Sequence, residues 1–306
     1  MTKLLQTLSD SIAVGSLYAL IALGYTLVYG VLRFINFAHS DVFMTGAWTS
    51  FVAAGTFGWT TGEVPIYAVI VVLIAAMAFC GALGFTIERL AYRPLRKAPR
   101  LNVLITAIGV SLFLQNVGQL KQVFGTQPMR MPTLVEDSTL ASVAGVSIKL
   151  VDVLVVGLAL VLVSLLQWLV YRTRLGRAMR AVSFDERSAA LMGVNVDMVV
   201  SLCFVIGSAL AAAAGLLYAL KYPGLNQPAH ATWVLLGLKA FVAAVVGGIG
   251  NVRGALIGAL LIAFIEQFGV QYLAPELRDV YVFTVLIAVL LLRPSGLFGS
   301  AVVEKV

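Results

Sequence analysis

The sequence predicts an all-α, polytopic membrane helix bundle of about eight to nine transmembrane helices, and three observations carry that prediction. Of its 306 residues, 60% are hydrophobic and only 11% charged, less than half the roughly 25% charge that keeps a soluble domain wet. The apolar residues fall in long runs, each near the ~20 residues that cross a bilayer once. The basic residues gather in alternate loops, the pattern of a chain woven back and forth through a membrane. This composition excludes an ordinary soluble domain, a nucleic-acid-binding module and a disordered chain, and it leaves residues 1–306 as one transmembrane domain.

The first run, 10–32, follows Lys3 and superficially resembles a secretory leader. It is too long for such a leader's apolar region and lacks a small-residue cleavage site, so it reads as a retained helix. Further runs at 41–58, 65–87, 101–124, 150–171, 198–219, 232–248, 254–272 and 279–292 complete nine crossings. The run at 41–58 lacks clear charge breaks and that at 279–292 is short; if either is re-entrant, the count falls to eight. Arg89, Arg93, Arg96, Lys97 and Arg100 follow the third run, and Arg172, Arg174, Arg177, Arg180 and Arg187 follow the fifth. Loops an even number of crossings apart share a side, and positive loops stay inside. Both arginine loops, Arg253, Arg293 and the C-terminus are therefore expected inside. The loop near 125–149, with Glu136 and Asp137, and that near 273–279, with Glu276, Arg278 and Asp279, are expected outside with the N-terminus. Trp59, Trp168, Tyr171 and Trp233 fall near helix ends, where amphipathic rings favour the membrane interface.

Gly254 and Gly258 form GxxxG, and Gly207, Ala211 and Gly215 keep the same interval. Small residues so spaced let helices approach closely when lipid supplies no hydrophobic drive. Cys80 and Cys203 lie in apolar runs without partners for a metal or disulfide framework. GGIGNVRG (247–254) has the wrong spacing for a dinucleotide loop and reads as a tight turn, and no GxxxxGK[ST], HExxH or GxSxG occurs. Nothing here supports an enzyme, and no cofactor is expected on the chain itself.

The most informative inner segment is RTRLGRAMRAVSFDERSAALMGVNVD, 172–197. Asp185, Glu186 and Arg187 open a run of helix formers, Ser188 to Met192, and Gly193 supplies a stop. A short helix on the inner side reads either as an interfacial helix resting on lipid or as a docking element for a cytoplasmic partner. The segment resembles the EAA-type coupling loop of ABC importer permeases. The whole chain is similar to the LivH-type permeases of high-affinity branched-chain amino acid importers. The matching stretches are LYALIALGYTLVYG (17–30), INFAHSDVFMTG (35–46), IERLAYRP (87–94), TAIGVSLFLQN (106–116), GLKAFVAAVVGGIG (237–250) and RPSGLFG (293–299). Ser40 and Asp41 stand where that family usually has Gly and Glu, and SAALMG departs from a strict EAA pattern.

The resemblance implies a second, related permease subunit, two cytoplasmic ATPase subunits that use ATP, and a periplasmic solute-binding protein. It places the chain in a bacterial inner membrane and makes Asp185, Glu186, Ala189, Ala190 and Gly193 the ATPase-coupling residues. Other members of the wider family are associated with urea, short amides and aromatic acids, so those solutes stand as an alternative. An autonomous secondary transporter is a further one.

Polar residues within the spans are the candidates for a solute path. Ser111, Gln115, Gln119 and Gln122 share one helical face, with Asn116 one position off it. Amides cannot face lipid cheaply, so they either glue helices or line a path. Asn36, His39, Ser40 and Asp41 interrupt two apolar runs; Ser40 or Asp41 is expected to cap the following helix, and the broken turn can also line a cavity. Lys239 and Glu266 are the ionisable residues deep in their spans, about 12 and 9 Å from the outer ends at 1.5 Å per residue. Such charges pair or line a watery path, and pairing between these two is the favoured expectation.

Overall fold

The computed structural model describes residues 2–60, 64–65, 67–96, 98–136, 138–143 and 146–299. Lys97 and Asp137 of the expected loops, and residues 300–306 with the expected inner C-terminus, lie outside the described residues. Eleven α-helices occur among those described: α1 (Thr2–Leu32), α2 (His39–Thr56), α3 (Ala68–Ile87), α4 (Arg100–Gly118), α5 (Leu150–Arg172), α6 (Arg174–Phe184), α7 (Glu186–Leu191), α8 (Val196–Lys221), α9 (Ala231–Gly247), α10 (Val252–Tyr272) and α11 (Arg278–Leu292). Six of these, α1, α3, α4, α5, α8 and α10, are long and apolar enough to cross a bilayer. The shorter or more polar α2, α9 and α11 occupy the remaining three expected spans.

Burial sorts the helices into layers. The middle of α1 and of α8 is buried all round, and α2, α3, α9 and α10 pack against them. A helix apolar on every side belongs inside. In contrast, α4, α5 and α11 leave Ile105, Phe113, Leu160, Val161, Leu165 and Leu291 exposed on the bundle's outside, as suits a surface against lipid. The small residues act at the crossings. A Cβ on Gly46 would meet the Ala212 Cα at 2.4 Å and one on Gly215 the Phe43 carbonyl oxygen at 2.5 Å, so α2 and α8 touch backbone to backbone. Gly258 of the GxxxG pair faces the Ala243 carbonyl oxygen in the same way.

Long-range contacts assign the loops to two ends. At one end Arg33 donates to the Ser183 carbonyl at 3.1 Å, Arg93 and Arg96 pair with Asp197, and Gly30 lies beside Gly250. The 293–299 segment returns there, with Leu297 and Phe298 donating to the Val246 and Gly247 carbonyls. At the other end β1 (Met129–Arg130) pairs with β4 (Gly224–Leu225), and a hairpin joins β2 (Thr139–Val143) to β3 (Val146–Lys149). There too Gln6 accepts from the Ser147 amide and Trp48 donates to the Asn226 carbonyl. The arginine loops thus share one end, and the acidic loops share the opposite one.

Several local expectations are corrected. Helix α1 begins at Thr2, ahead of the expected 10, because Thr7, Ser11 and Ser16 return their hydroxyls to carbonyls of the same helix and so satisfy themselves. Helix α4 ends at Gly118 instead of 124; a turn closes there through the Gly125 amide to Leu120, with Gly125 at φ +84°. Neither Ser40 nor Asp41 caps α2: both lie in its first turn, and the Asn36 side chain instead accepts from the Ala38 amide at 3.1 Å. Trp233 is not an interface ring but 1% exposed, packed edge-on to Phe43.

Candidate functional site

The first candidate region is a cavity of about 340 Å³ between α1, α2, α8, α9, α10 and α11, toward the end carrying the acidic loops. The sequence places one ionisable residue deep within each of α9 and α10, and the packing brings them together: Lys239 Nζ lies 2.9 Å from Glu266 Oε1. Three further groups join them. The Tyr18 hydroxyl donates to Glu266 Oε2 at 2.7 Å, Asp279 Oδ1 lies 2.7 Å from Lys239 Nζ, and Arg278 Nε lies 3.1 Å from Glu266 Oε1. Lys239 and Glu266 are buried, while Arg278 and Asp279 on the first turn of α11 are about half exposed. The result is two cations and two anions in alternation, neutral in sum, running from the bundle's interior to its rim. Each buried charge keeps at least two opposite or hydrogen-bonding partners, which is the condition for carrying charge in a low dielectric.

Tyr18, Arg278 and Asp279 were not foreseen as site residues. Tyr18 is one of several hydroxyls in an apolar run, with nothing local to single it out, and Arg278 and Asp279 read as ordinary loop charges until α11 folds back over α9 and α10.

The remaining path candidates lie elsewhere. Gln115 Nε2 donates to Asp41 Oδ1 at 2.9 Å and contacts Ser111 Oγ at 3.2 Å, tying α4 to α2. The Asn36 Oδ1 accepts from the Tyr92 hydroxyl at 2.6 Å, in the π-helical turn Glu88–Tyr92 that follows α3. His39 packs edge-on to Tyr25 with centroids 4.6 Å apart and abuts Gly24, where a Cβ would lie 2.3 Å from its Nε2. Among the described residues, Asp41 Oδ2 and His39 Nε2 find no hydrogen-bond partner. Asn116 points outward and donates to the Leu112 carbonyl, Gln119 is the C-cap of α4, and Gln122 lies past the helix end and off the expected face. Of these path candidates only Glu266 lines the cavity.

The second region is the 172–197 segment, which holds two helices where one was expected. Thr173 caps α6 by accepting from the Gly176 amide, and α6 buries Met179 and Val182. A sharp break at Asp185 starts α7. The Asp185 side chain accepts from the Arg187 amide at 2.9 Å and from Ser188 Oγ at 2.6 Å. These hydrogen bonds, the Ser188 hydroxyl first, hold the Asp185 carboxyl below its ordinary pKa. Gly193, at φ +83°, ends α7, and Val194 and Gly193 donate to the Ala189 and Ala190 carbonyls. Ala189 is buried against Met179, Val182, Val199 and Cys203, whereas Ala190 and Glu186 are exposed. Phe184, Leu191 and Met192, three large apolar side chains at this end of the bundle, are 85–89% exposed.

Side chains at this end also tie three spanning helices into it. Arg33, the C-terminal stop of α1 at φ +53°, reaches the Ser183 and Phe184 carbonyls. Arg96 bridges Asp197 at the foot of α8 and the buried Glu88 after α3, which also accepts from Ser201 at 2.6 Å. Among the described residues no cluster of three or more His, Cys, Asp or Glu can hold a metal.

Comparison with known proteins agrees with this architecture. Residues 7–290 match the family model described as branched-chain amino acid transport system / permease component. The chain is 40% identical over 305 residues to the high-affinity branched-chain amino acid transport system permease protein BraD of Pseudomonas aeruginosa, covering 99% of this chain and 98% of that one. It is 40% identical over 311 residues to the permease protein LivH of Escherichia coli K12, covering 99% and 97%. It is 28% identical over 309 residues to a probable LivH of Methanocaldococcus jannaschii, covering 95% and 91%. A multi-pass bundle matched over nearly its full length by transport permeases, and by relatives that are not enzymes, has one family assignment: the chain belongs to the permease components of branched-chain amino acid transport systems.

Proposed function

We propose that this chain is the membrane-spanning permease subunit of an ATP-driven, binding-protein-dependent importer for branched-chain amino acids, resident in a bacterial inner membrane with the arginine loops and C-terminus cytoplasmic. Its partners are a second related permease, two ATPase subunits and a periplasmic solute-binding protein. The chain performs no chemistry; the partner ATPases bind and hydrolyse ATP. The observation that carries this reading is the capped helix α7 with Phe184, Leu191 and Met192 exposed beside it. Three large apolar side chains left at 85–89% exposure on a water-facing loop lose burial that a partner cleft would restore.

The geometry also supports a route for coupling, with 172–197 as the EAA-like loop. Force on α7 passes through buried Ala189 to α6 and α8, from the end of α6 through Arg33 to α1, and from α8 through Asp197, Arg96 and Glu88 to α3. Helix α1 carries Tyr18, so displacement at the basic end reaches the charge alternation at the other. Rigid helices transmit such motion because close-packed interiors deform little.

The test is reconstitution. The chain co-expressed with its partners retains the ATPase through purification, and in liposomes supplied with binding protein the complex accumulates L-leucine only when ATP is present. Leu191→Asp together with Met192→Asp releases the ATPase while the permease stays inserted. Retention of the ATPase and normal uptake in that double variant would show that α7 merely rests on lipid.

A further inference from the structure

We propose that the cavity at Lys239 and Glu266 is a transit site for a zwitterionic α-amino acid with an apolar side chain, its carboxylate held by Lys239 and Arg278 and its ammonium by Glu266 and Asp279. The inference rests on the reading of the chain as an importer permease and names the place where the solute binds within it.

Charge balance is the first ground. The cavity presents two cations and two anions with no net charge, and contacts of 2.7–3.1 Å join them in alternation. A solute with one positive and one negative end replaces the Lys239–Asp279 and Arg278–Glu266 contacts one for one. No charge is left bare at any step, which matters because an unpaired buried charge is strongly destabilising. A solute that is only an anion or only a cation leaves one member of the set unpaired. Alternating-charge cavities of this kind therefore select against both.

The second ground is accessibility of the set. Lys239 and Glu266 are fixed at depth, while Arg278 and Asp279 sit half exposed at the start of α11, where the long Arg278 side chain and the solvated Asp279 carboxylate exchange partners without moving a helix. A neighbouring cavity of about 490 Å³, which shares Val14, Tyr222 and Gln267, opens from the same end. It supplies a way in from the side where a solute would be delivered.

The third ground is the apolar part of the lining. Leu17, Ile21, Phe43, Leu235 and Leu236 line the cavity, giving an apolar surface for the solute's side chain. At about 340 Å³ the space falls within the ~300–1,000 Å³ of small-molecule sites. Apolar lining with a few convergent polar groups is the usual make-up of such sites.

The experiment uses the assembled importer in nanodiscs with Thr232→Cys, a cavity-lining reporter. L-leucine is expected to slow labelling of that thiol by a methanethiosulfonate reagent. 4-Methyl-2-oxopentanoate, which lacks the ammonium, and 3-methylbutylamine, which lacks the carboxylate, are expected not to. Equal protection by all three, or protection by none, overturns the proposal. Arg278→Gln or Asp279→Asn should raise the L-leucine concentration for half-protection at least about tenfold, the effect of losing one charge-assisted hydrogen bond. Unchanged half-protection in both variants, with the ATPase still bound, also overturns it. Should a variant fail to assemble, the three-solute comparison in the parent still decides. If the reconstituted complex accumulates no amino acid at all, the permease reading itself fails; if it accumulates L-leucine without selective protection at Thr232→Cys, only the site does.

Discussion

Gly46→Ala is the sharpest test of how this bundle is held together. The added Cβ lies 2.4 Å from the Ala212 Cα and 3.1 Å from its carbonyl oxygen. Carbon atoms are content at about 3.5–4.0 Å, so α2 has to back off α8 by about 1 Å. The obstacle is backbone, with no flexible side chain to swing aside, and the neighbouring contact of Gly215 with the Phe43 carbonyl opens with it. Overpacking of this kind costs typically ~1–3 kcal/mol; at ~2 kcal/mol the folded-to-unfolded ratio falls about 30-fold. The same substitution at Gly109 or Gly157, where nothing lies within 4 Å of the new Cβ, should go the other way. Removing a glycine from a helix interior gains about 0.5–1 kcal/mol. SDS-titrated unfolding of the purified chain, followed by circular dichroism, measures all three. If Gly46→Ala unfolds at or above the parent midpoint, close helix approach is not what holds α2 to α8. A loss at Gly109 or Gly157 equal to that at Gly46 would refute the steric argument as well.

Other perturbations test the remaining parts. Lys239→Met leaves Glu266 with only Tyr18 and Arg278, and should cost at least about 3 kcal/mol, the lower range for breaking a buried pair, while adding Glu266→Gln recovers most of the assembled complex on size exclusion; a double variant no better than the worse single one would show that the two do not stabilise each other. Gly193→Val forces a branched side chain to φ +83° and should lower ATP-driven uptake in liposomes without lowering membrane insertion. Because the folded pKa of Asp185 is depressed, its cap on α7 is fully effective above the ordinary carboxylate range and is lost as pH falls through the folded value; amide protection across 186–191, relative to the intrinsic exchange rate at each pH, should drop on that acid side only. Ser188→Cys and Ser138→Cys should label from opposite faces of the membrane, and labelling from one face would overturn the arrangement of the loops.

What is additive along the chain was legible in its residues. Nine apolar runs, the alternation of arginine-rich and acidic loops, and a capped helix stopped by Gly193 are properties of short windows, and each has a local physical cause: bilayer thickness, retention of basic loops, and the backbone freedom of glycine. The pairing of Lys239 with Glu266 was also legible, because two isolated charges at similar depth in neighbouring helices have few other partners. Where a helix satisfied its own polar groups, as α1 does at Thr7 and Ser11, or where a turn at Gly125 ended α4, local polarity misled the boundaries. Tertiary structure alone decided the rest. Tyr18, Arg278 and Asp279 join the charge set only because α1 and α11 close over α9 and α10, and the burial of Ala189 beside exposed Ala190 depends on how α7 docks on α6 and α8. Trp233 became a core ring because α2 and α8 leave a slot for it beside Phe43 and Tyr218. A side chain's partners are set by which helix faces meet, and in a membrane, where most faces of a spanning helix are apolar, hydrophobic pattern carries little record of which face turns inward.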